Sequence, residues 1–320
     1  MARDNGTGGP ISVLGAGVAA LCTATELAAR GLDVELIAPE DAPVPASRFA
    51  GGMLAPFCEG EAAPEAVVTA GQTAVDWWAA HVPVTRNGTL VVAPPRDAAE
   101  LDRFARATRG HAPADPGALE PDLAGRFARG LFYSTEAHLD PRGALRRLRD
   151  GLAAQGAAIH GGPPRGRIVD CRGLGADVSG LRAVRGEMLL VEAPDVALSR
   201  PVRLLHPRFP CYIVPRAQNV FMIGATMVER DDPGPVTARA AMELLSAAYT
   251  LHPGFAEARI LELGAGLRPA FADNMPAVVR QGRNLHVNGM YRHGFLMAPV
   301  LARQAADLIL TDIGEDTHAH

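Results

Sequence analysis

The sequence predicts an α/β fold in which a Rossmann-like parallel-sheet domain is interrupted by a β-rich α+β domain. Three features predict it: a strand, glycine turn, helix and strand at residues 11–38, an apolar strand at 167–171 suited to return to a parallel sheet, and short β-rich runs between 187 and 228. The 320 residues, 48% hydrophobic and 21% charged, suffice for one large or two interleaved domains with ample core.

The opening unit reads in detail. Ile11 to Leu14 is a short apolar strand and Gly15-Ala16-Gly17 a tight turn. Val18 to Arg30 places apolar residues at helical spacing (Val18, Leu21, Cys22, Ala28), Gly31 suits the position just past the helix, and Asp33 to Ala38 is the second strand. In such a unit Gly15 permits the turn, Gly17 lets a pyrophosphate approach the backbone, and Ala20 stands where helix and strand pack closely, with the helix N-terminus facing the phosphates. The pattern therefore predicts dinucleotide binding. The acid that ends the second strand of such units and holds the ribose falls at Ala38; Glu40 or Asp41 is the candidate substitute, and a solvated loop charge is the equal alternative.

Further along, 66–81 reads as one helix containing Trp77 and Trp78, and Thr89 to Ala93 as a strand before Pro94-Pro95. Helices are expected near 98–109, 141–155, 235–249 and 299–310, the last with Pro299 in its first turn. Strands are expected at 130–134, 167–171, 211–215, 220–225 and 284–288. The nucleotide domain then comprises 10–80, 136–182 and 262–312, and the β-rich domain 81–135 and 183–261. The tail 317–320 is expected to be a disordered end, with no metal role for its two histidines.

Composition excludes several classes. All 31 cationic side chains are Arg, and the chain has no Lys. A P-loop, a pyridoxal-phosphate Schiff base and a Tyr-x-x-x-Lys nicotinamide dehydrogenase are therefore ruled out. A net charge of −4 with scattered arginines gives no footprint for nucleic acid. Cysteines at 22, 58, 171 and 211 form no CxxC pair, so neither disulfides nor a metal site is expected, and a reducing cytoplasm fits. The apolar stretch 11–29 is broken by Glu26 and carries two close glycines, which suits a buried βα unit rather than a membrane span.

Several motifs then coincide in order. They are Leu14 to Leu21, Ala50-Gly51-Gly52-Met53-Leu54-Ala55-Pro56, Cys211 to Arg216, Ile223 to Met227, Gly266-Leu267-Arg268-Pro269, and Tyr291-Arg292-His293-Gly294-Phe295-Leu296-Met297-Ala298-Pro299. Together they resemble the D-amino-acid-oxidase superfamily, and within it the glycine-oxidase family of thiamine biosynthesis, over residues 10 to 312. The resemblance implies an FAD-dependent oxidase that removes a hydride from the Cα of glycine, gives an imine and reduces O₂ to H₂O₂. It also implies a possible hand-off of the imine to a thiazole synthase; a homo-oligomer is expected.

Matching motif by motif, Arg268 is the family's carboxylate-binding arginine, Tyr212 the tyrosine whose hydroxyl contacts the same carboxylate, and Arg292 a second arginine of the pocket. A planar guanidinium fork fixes both charge and orientation of a carboxylate. Met53, Met227 and Phe295 are expected to crowd the Cα side. The cofactor is expected to contact Gly15, Gly17, Ala20, Glu40, Ser47, Arg48, Gly51, Gly52, Met53, Arg292, His293, Gly294, Phe295 and Leu296. Ser47 and Arg48 are the pyrophosphate candidates, Gly51 and Gly52 bring backbone close to the isoalloxazine ring, and His293 serves packing or backbone bonding rather than proton transfer. The helix starting at Pro299 is expected to aim its amides at the N1 and C2 carbonyl edge of the flavin. A sarcosine or D-amino-acid oxidase or dehydrogenase, and a catalytically silent binding protein, are the alternatives. The departures from the family are Ala38, the short segment 157–167, closed by Gly161-Gly162-Pro163-Pro164, and Pro210, where relatives often carry a polar residue.

Overall fold

The computed structural model describes residues 9–206 and 210–318. In chain order the elements are β1 (Ile11–Leu14), α1 (Val18–Ala29), β2 (Val34–Ile37), β3 (Met53–Leu54), α2 (Pro56–Glu59), α3 (Glu65–Gly71), α4 (Ala74–Ala79), β4 (Thr89–Val92) and α5 (Ala98–Ala107). Next come β5 (Ala112–Ala114), α6 (Pro116–Leu119), β6 (Gly130–Tyr133), β7 (Ala137–His138), α7 (Pro141–Ala154), β8 (Ala158–His160) and β9 (Arg167–Asp170). The chain closes with β10 (Arg182–Glu192), β11 (Val202–Leu204), β12 (Cys211–Pro215), β13 (Val220–Gly224), α8 (Ala238–Leu251), β14 (Arg259–Ala270), β15 (Ala277–Gln281), β16 (Asn284–Asn288) and α9 (Gly294–His318).

Two sheets carry the molecule. The first runs β15-β16-β9-β1-β2-β8, parallel except for the β15–β16 hairpin. Its central strands β1 and β2 are buried at every residue, as strands covered on both faces must be, with α1 and α9 in the covering core. The second runs β14-β10-β13-β12-β11-β4-β6-β5 and is mostly antiparallel. One of its faces packs on α8 through Leu189, Val191, Ile213 and Ile223. The opposite face presents Gly186, Met188, Tyr212, Gly224, Gly264, Gly266 and Arg268 toward a helical turn at Ala46–Phe49.

The expected elements recur with four differences. The helix expected over 66–81 is two helices, because α3 ends at Gly71, where a Cβ would meet Leu296 of α9 at 3.5 Å and Pro56 at 3.4 Å. Strand β14 pairs with β10 along its length, so residues 262–270, expected in the nucleotide domain, lie in the second sheet. Strand β10 is longer than its visible signal because it is buried on both faces over Val184 to Leu189, which erases a period of two.

The fourth difference concerns α9, which starts at Gly294 and not at Pro299. Proline removes the N–H that would reach the carbonyl of residue 295. Here the Phe295 carbonyl accepts instead from the Trp78 indole N–H at 2.7 Å, so the helix runs through the proline. α9 is long and apolar enough to cross a bilayer, yet Ala298, Leu301, Ala302, Ala305, Ala306 and Ile309 are buried in the core with α1. It continues to His318. Residues 319 and 320 of the tail expected to be disordered lie outside the described residues.

A buried acid pins the parallel sheet. Glu35 on β2 has a side chain only 1% exposed. It accepts from Ser12 of β1 at 2.6 Å, from the Arg165 backbone at 2.9 Å and from Arg165 Nε at 2.8 Å, with His160 Nε2 at 3.2 Å. Burial pushes its pKa up, but the bonds from Arg165, Ser12 and His160 outweigh burial and leave it at about 2.

Two outcomes follow from these contacts. Trp78→Phe strands the Phe295 carbonyl and should cost about 1–3 kcal/mol in urea unfolding, beyond lost packing. In a Pro299→Ala background, which returns an N–H to that carbonyl, the same change should cost measurably less; an equal cost in both backgrounds would contradict the account. For Glu35, a carboxyl depressed in the folded state stabilises fully above about pH 4.5 and loses that contribution as the pH falls toward 2. Glu35→Gln should therefore be less stable than wild type at neutral pH. Far-UV circular dichroism should show the gap closing between pH 4.5 and 2, at a slope approaching ~1.4 kcal/mol per pH unit.

Candidate active site

The first turns of α1 and α9 meet. A Cβ on Gly294, the first residue of α9, would lie 3.2 Å from Val18, the first residue of α1. Each first turn has amides with no carbonyl behind them and the positive end of a helix dipole, so their junction suits anionic and electron-rich groups. Gly15 adopts φ +120°, and a Cβ there would lie 3.0 Å from the Cys171 carbonyl. Ala20 packs beside that turn, fully buried. Gly17 caps α1, and a Cβ on it would lie 3.3 Å from Ser47 Oγ, which accepts from the Val18 amide at 3.2 Å. Ser47 thus stands at the turn, as expected of a residue near a pyrophosphate. Arg48 does not: its side chain lines a cleft with the start of α7. Ala38 is buried and its amide donates to the His160 carbonyl, while Glu40 and Asp41 are exposed on the loop after β2.

Between the sheets, the loop 50–53 faces the second sheet. A Cβ on Gly51 would lie 2.7 Å from the Tyr212 ring, and Gly52, at φ +72°, leaves room for the Leu139 carbonyl and Pro141. The absence of side chains at these two positions lets Tyr212, Leu139 and Pro141 approach the loop backbone. Met53, half-buried on β3, pairs with His138.

Arg268 lies flat over Gly186, where a Cβ would collide with its guanidinium, and donates to the Thr226 carbonyl at 3.2 Å. Thr226 is itself held, because its hydroxyl donates to Glu187 at 2.9 Å and Glu187 pairs with fully buried Arg185 at 3.0 Å. Burial lowers the Arg268 pKa, opposed by Tyr212 and Tyr291 nearby. Burial likewise raises the Tyr212 pKa, opposed chiefly by Arg268, so the phenol stays protonated at neutral pH and can donate. Arg268 and Tyr212 are therefore brought together, as the motifs implied.

Arg292 is tied to an acid that sequence reasoning missed. Its Nε lies 2.8 Å from Glu59 Oε2, and His293 Nδ1 lies 3.3 Å from the same oxygen. Burial raises the Glu59 pKa, but Arg292, His293 and Arg203 reverse the sign and hold it well below the usual carboxylate range. Arg292 Nη2 is buried with no hydrogen-bond partner among the described residues. Such an orphaned donor calls for an acceptor supplied from outside the chain. Tyr291, also unforeseen, sits with φ +46° and its hydroxyl 2.7 Å from Met227 Sδ. Met227 is 49% exposed, at the edge of the site.

Phe295 is the clear correction to the expected pocket. Its ring is 5% exposed and stacks on Trp78 at 5.3 Å, so it belongs to the core beneath α9 and does not crowd a substrate. Leu296 packs against Gly71 in the same core. His293, 2% exposed, accepts through its carbonyl from the Leu296 and Met297 amides at 3.0 and 2.8 Å, as well as facing Glu59. The N-terminal amides that would face the flavin are accordingly those of α9 at Gly294, five residues before Pro299.

A dinucleotide turn, a second helix start converging on it, and half-buried cationic and phenolic donors between two sheets define a flavin-dependent oxidoreductase. The residues fit FAD: the α1 turn with Ser47 would take the pyrophosphate, and the Gly51 loop and the start of α9 would take the ring. The chain belongs to the family of FAD-dependent oxidoreductases, whose model matches residues 11–308. It is 55% identical over 319 residues to a Rhizobium etli protein assigned by name to thiamine biosynthesis, ThiO, covering 95% of this chain and 98% of that one. It is 31% identical over 237 residues to the glycine oxidase of Geobacillus kaustophilus, covering 70% of this chain and 60% of that one. A bifunctional ThiO/ThiG protein of Trichormus variabilis is 26% identical, with 97% of this chain matching 54% of its length. The crystal structure of glycine oxidase from Geobacillus kaustophilus has the same fold, with a TM-score of 0.79 at 22% identity over 94% of each chain.

The placement of Arg268 over Gly186 is open to a direct check. Gly186→Ala should push the guanidinium aside at little cost in stability, since the obstructed atoms are the far end of a flexible side chain. Misplacement of about 1 Å can cost roughly 10²-fold. Affinity for small carboxylates such as acetate, followed by the flavin difference spectrum, should fall by about that factor while the melting temperature stays near wild type. Unchanged affinity would place Arg268 outside the carboxylate site.

Proposed function

We propose that this enzyme oxidises glycine to its imine with O₂ as electron acceptor, and serves thiamine thiazole formation in the cytoplasm. The observation that carries the reading is the charge pattern around Arg268. Arg268 and Arg292 bring two half-buried guanidinium groups to the site, and Glu59 neutralises one. A substrate carrying one carboxylate and a neutral amine completes the balance, and a buried cation left without a counter-charge is costly.

The chain's own residues act by binding and orientation. Arg268 holds the carboxylate, the protonated Tyr212 hydroxyl donates to it, and the unpartnered Nη2 of Arg292 offers a further donor. The substrate nitrogen must have lost its ammonium proton before Cα gives up hydride, and no side chain is required to remove a proton from carbon. FAD, when bound, accepts the hydride and passes the electrons to O₂, giving H₂O₂. The imine then reacts with water to glyoxylate and ammonia, or passes to a partner. The fusion named ThiO/ThiG supports a partner that consumes it. Met53 and Met227 limit the Cα side, with Phe295 withdrawn into the core, so the restriction on substrate size rests on two flexible thioethers.

The decisive comparison sets glycine against ethylamine, which lacks the carboxylate. Arg268→Ala should reduce kcat/KM for glycine by about 3–5 kcal/mol, roughly two to four orders of magnitude, because the carboxylate loses its counter-charge after losing its water. The slow oxidation of ethylamine should barely change, and the flavin spectrum should remain that of folded enzyme. Equal losses on both substrates would refute a carboxylate role.

A further inference from the structure

We propose a second binding site, for a phosphate monoester carried on a ring-sized apolar group, in the cleft behind the Gly51 loop. The cleft has a volume of about 850 Å³ and lies between α7 and the face of the second sheet that also bears Arg268 and Tyr212. The turn at Ala46–Phe49 separates the two regions, with Phe49 packed over Gly264 and Gly266.

Its lining is chemically divided. Met188, Leu190 and Met222 from the sheet, with Val82 and Leu198, form an apolar wall. Opposite it stand five arginines. Arg142 is spoken for by two 2.8 Å bonds to Glu262, and the acid in the cleft, Asp140, is occupied as the N-cap of α7 by the amides of Arg142 and Gly143. Arg48, Arg146, Arg147 and Arg216 have no ion pair among the described residues. Arg146 and Arg147 stand exposed at the mouth on α7.

Arg216 is deeper. It donates only to carbonyls, Gly51 at 2.7 Å and Pro215 at 3.2 Å, and burial lowers its pKa to about 10 against the opposing charge of Asp140, with which it forms no ion pair among the described residues. Beside it His138 is 5% exposed, and its Nδ1 is buried with no partner. Burial, with Arg216 adding to it, lowers the His138 pKa to about 4, so the ring is neutral and offers that nitrogen to a ligand. A single carboxylate would leave this excess of guanidinium largely unmet, whereas a phosphate dianion takes several forks at once. The apolar wall then accepts the rest of the molecule, as in small-molecule sites generally.

The test uses the FAD-loaded protein and 1-naphthyl phosphate, titrated by calorimetry. One molecule should bind per chain, at least about tenfold more tightly than inorganic phosphate, because the wall contributes only with the naphthyl group. Arg146→Ala with Arg147→Ala, both exposed on a helix, should weaken binding about tenfold or more, and Met222→Trp, which fills the apolar side, should weaken it comparably. An unchanged flavin spectrum would verify folding in each. Arg268→Ala should bind the probe like wild type. Absence of binding, indifference to all cleft variants, or loss in Arg268→Ala instead would each overturn the proposal.

Discussion

The junction of two helix starts, Val18 against Gly294, is the constraint on which the rest of the structure depends. Two N-terminal turns carry about half a positive charge each, so placing them in contact costs energy unless something electron-rich lies between or beside them. The approach is possible because small residues line the packed faces: Ala20 and Ala24 in α1, Ala298, Ala302 and Ala305 in α9. With that crossing fixed, β1 delivers the Gly15 turn, Ser47 closes over Gly17, and Arg292 and His293 are held immediately before α9, facing Glu59. One helix pair therefore positions the Gly15 turn and Arg292, while Arg268 and Tyr212 are set separately by the second sheet.

A chain without lysine meets every buried cationic requirement with guanidinium groups, and the structure shows how they are kept apart. Arg185 is spent on Glu187, Arg203 on Glu61, Arg200 on Glu120 and Arg142 on Glu262, each with a carboxylate within 3.0 Å. Arg268, like Arg216, is held by a carbonyl instead, and its nearest acid stands two contacts away through Thr226 and Glu187. A guanidinium held by neutral groups keeps its charge available, while one paired with Glu59, as Arg292 is, contributes direction more than charge. The division of labour between the two arginines follows from which of them owns an acid.

Much of this was legible in the sequence, and the limits have physical causes. The turn with Gly15, Gly17 and Ala20, both flanking strands, and most later strands are local patterns, and they appear where periodicity and glycine chemistry put them. Arg268 and Tyr212 were identified because their motifs carry the neighbours that orient them. Glu59 was not, since its partners Arg292 and His293 lie near the other end of the chain and an acid beside Gly60 and Glu61 looks like a solvated charge. Phe295 was misplaced because its role depends on Trp78, whose indole both stacks on the ring and takes the carbonyl that Pro299 leaves free. The start of α9 was misread for the same reason: a local rule about proline was overridden by a donor from a distant helix. Arg48 follows Ser47 in the same turn, but it is exposed and lines the cleft with the start of α7, which adjacency in sequence does not reveal.

Space on the functional face of the second sheet is apportioned by missing side chains. Tyr212 lies between Gly51 and Gly224, Arg268 over Gly186, and Phe49 over Gly264 and Gly266. A β-sheet face normally fills itself with its own side chains, about one per residue pair, leaving no room for a layer above. Glycine at these positions removes that layer and lets a tyrosine ring, a guanidinium and a phenylalanine lie flat on the backbone. Flat-lying groups lose rotamer freedom on folding rather than on binding, so the ordering cost of the clamp is met before a ligand arrives. The same face passes beneath Phe49 into the arginine-lined cleft, where methionines replace the glycines and the sheet is again covered by its own side chains. Preorganisation is thus concentrated where orientation of Cα decides the reaction, and the softer surface is left to the region where binding alone is required.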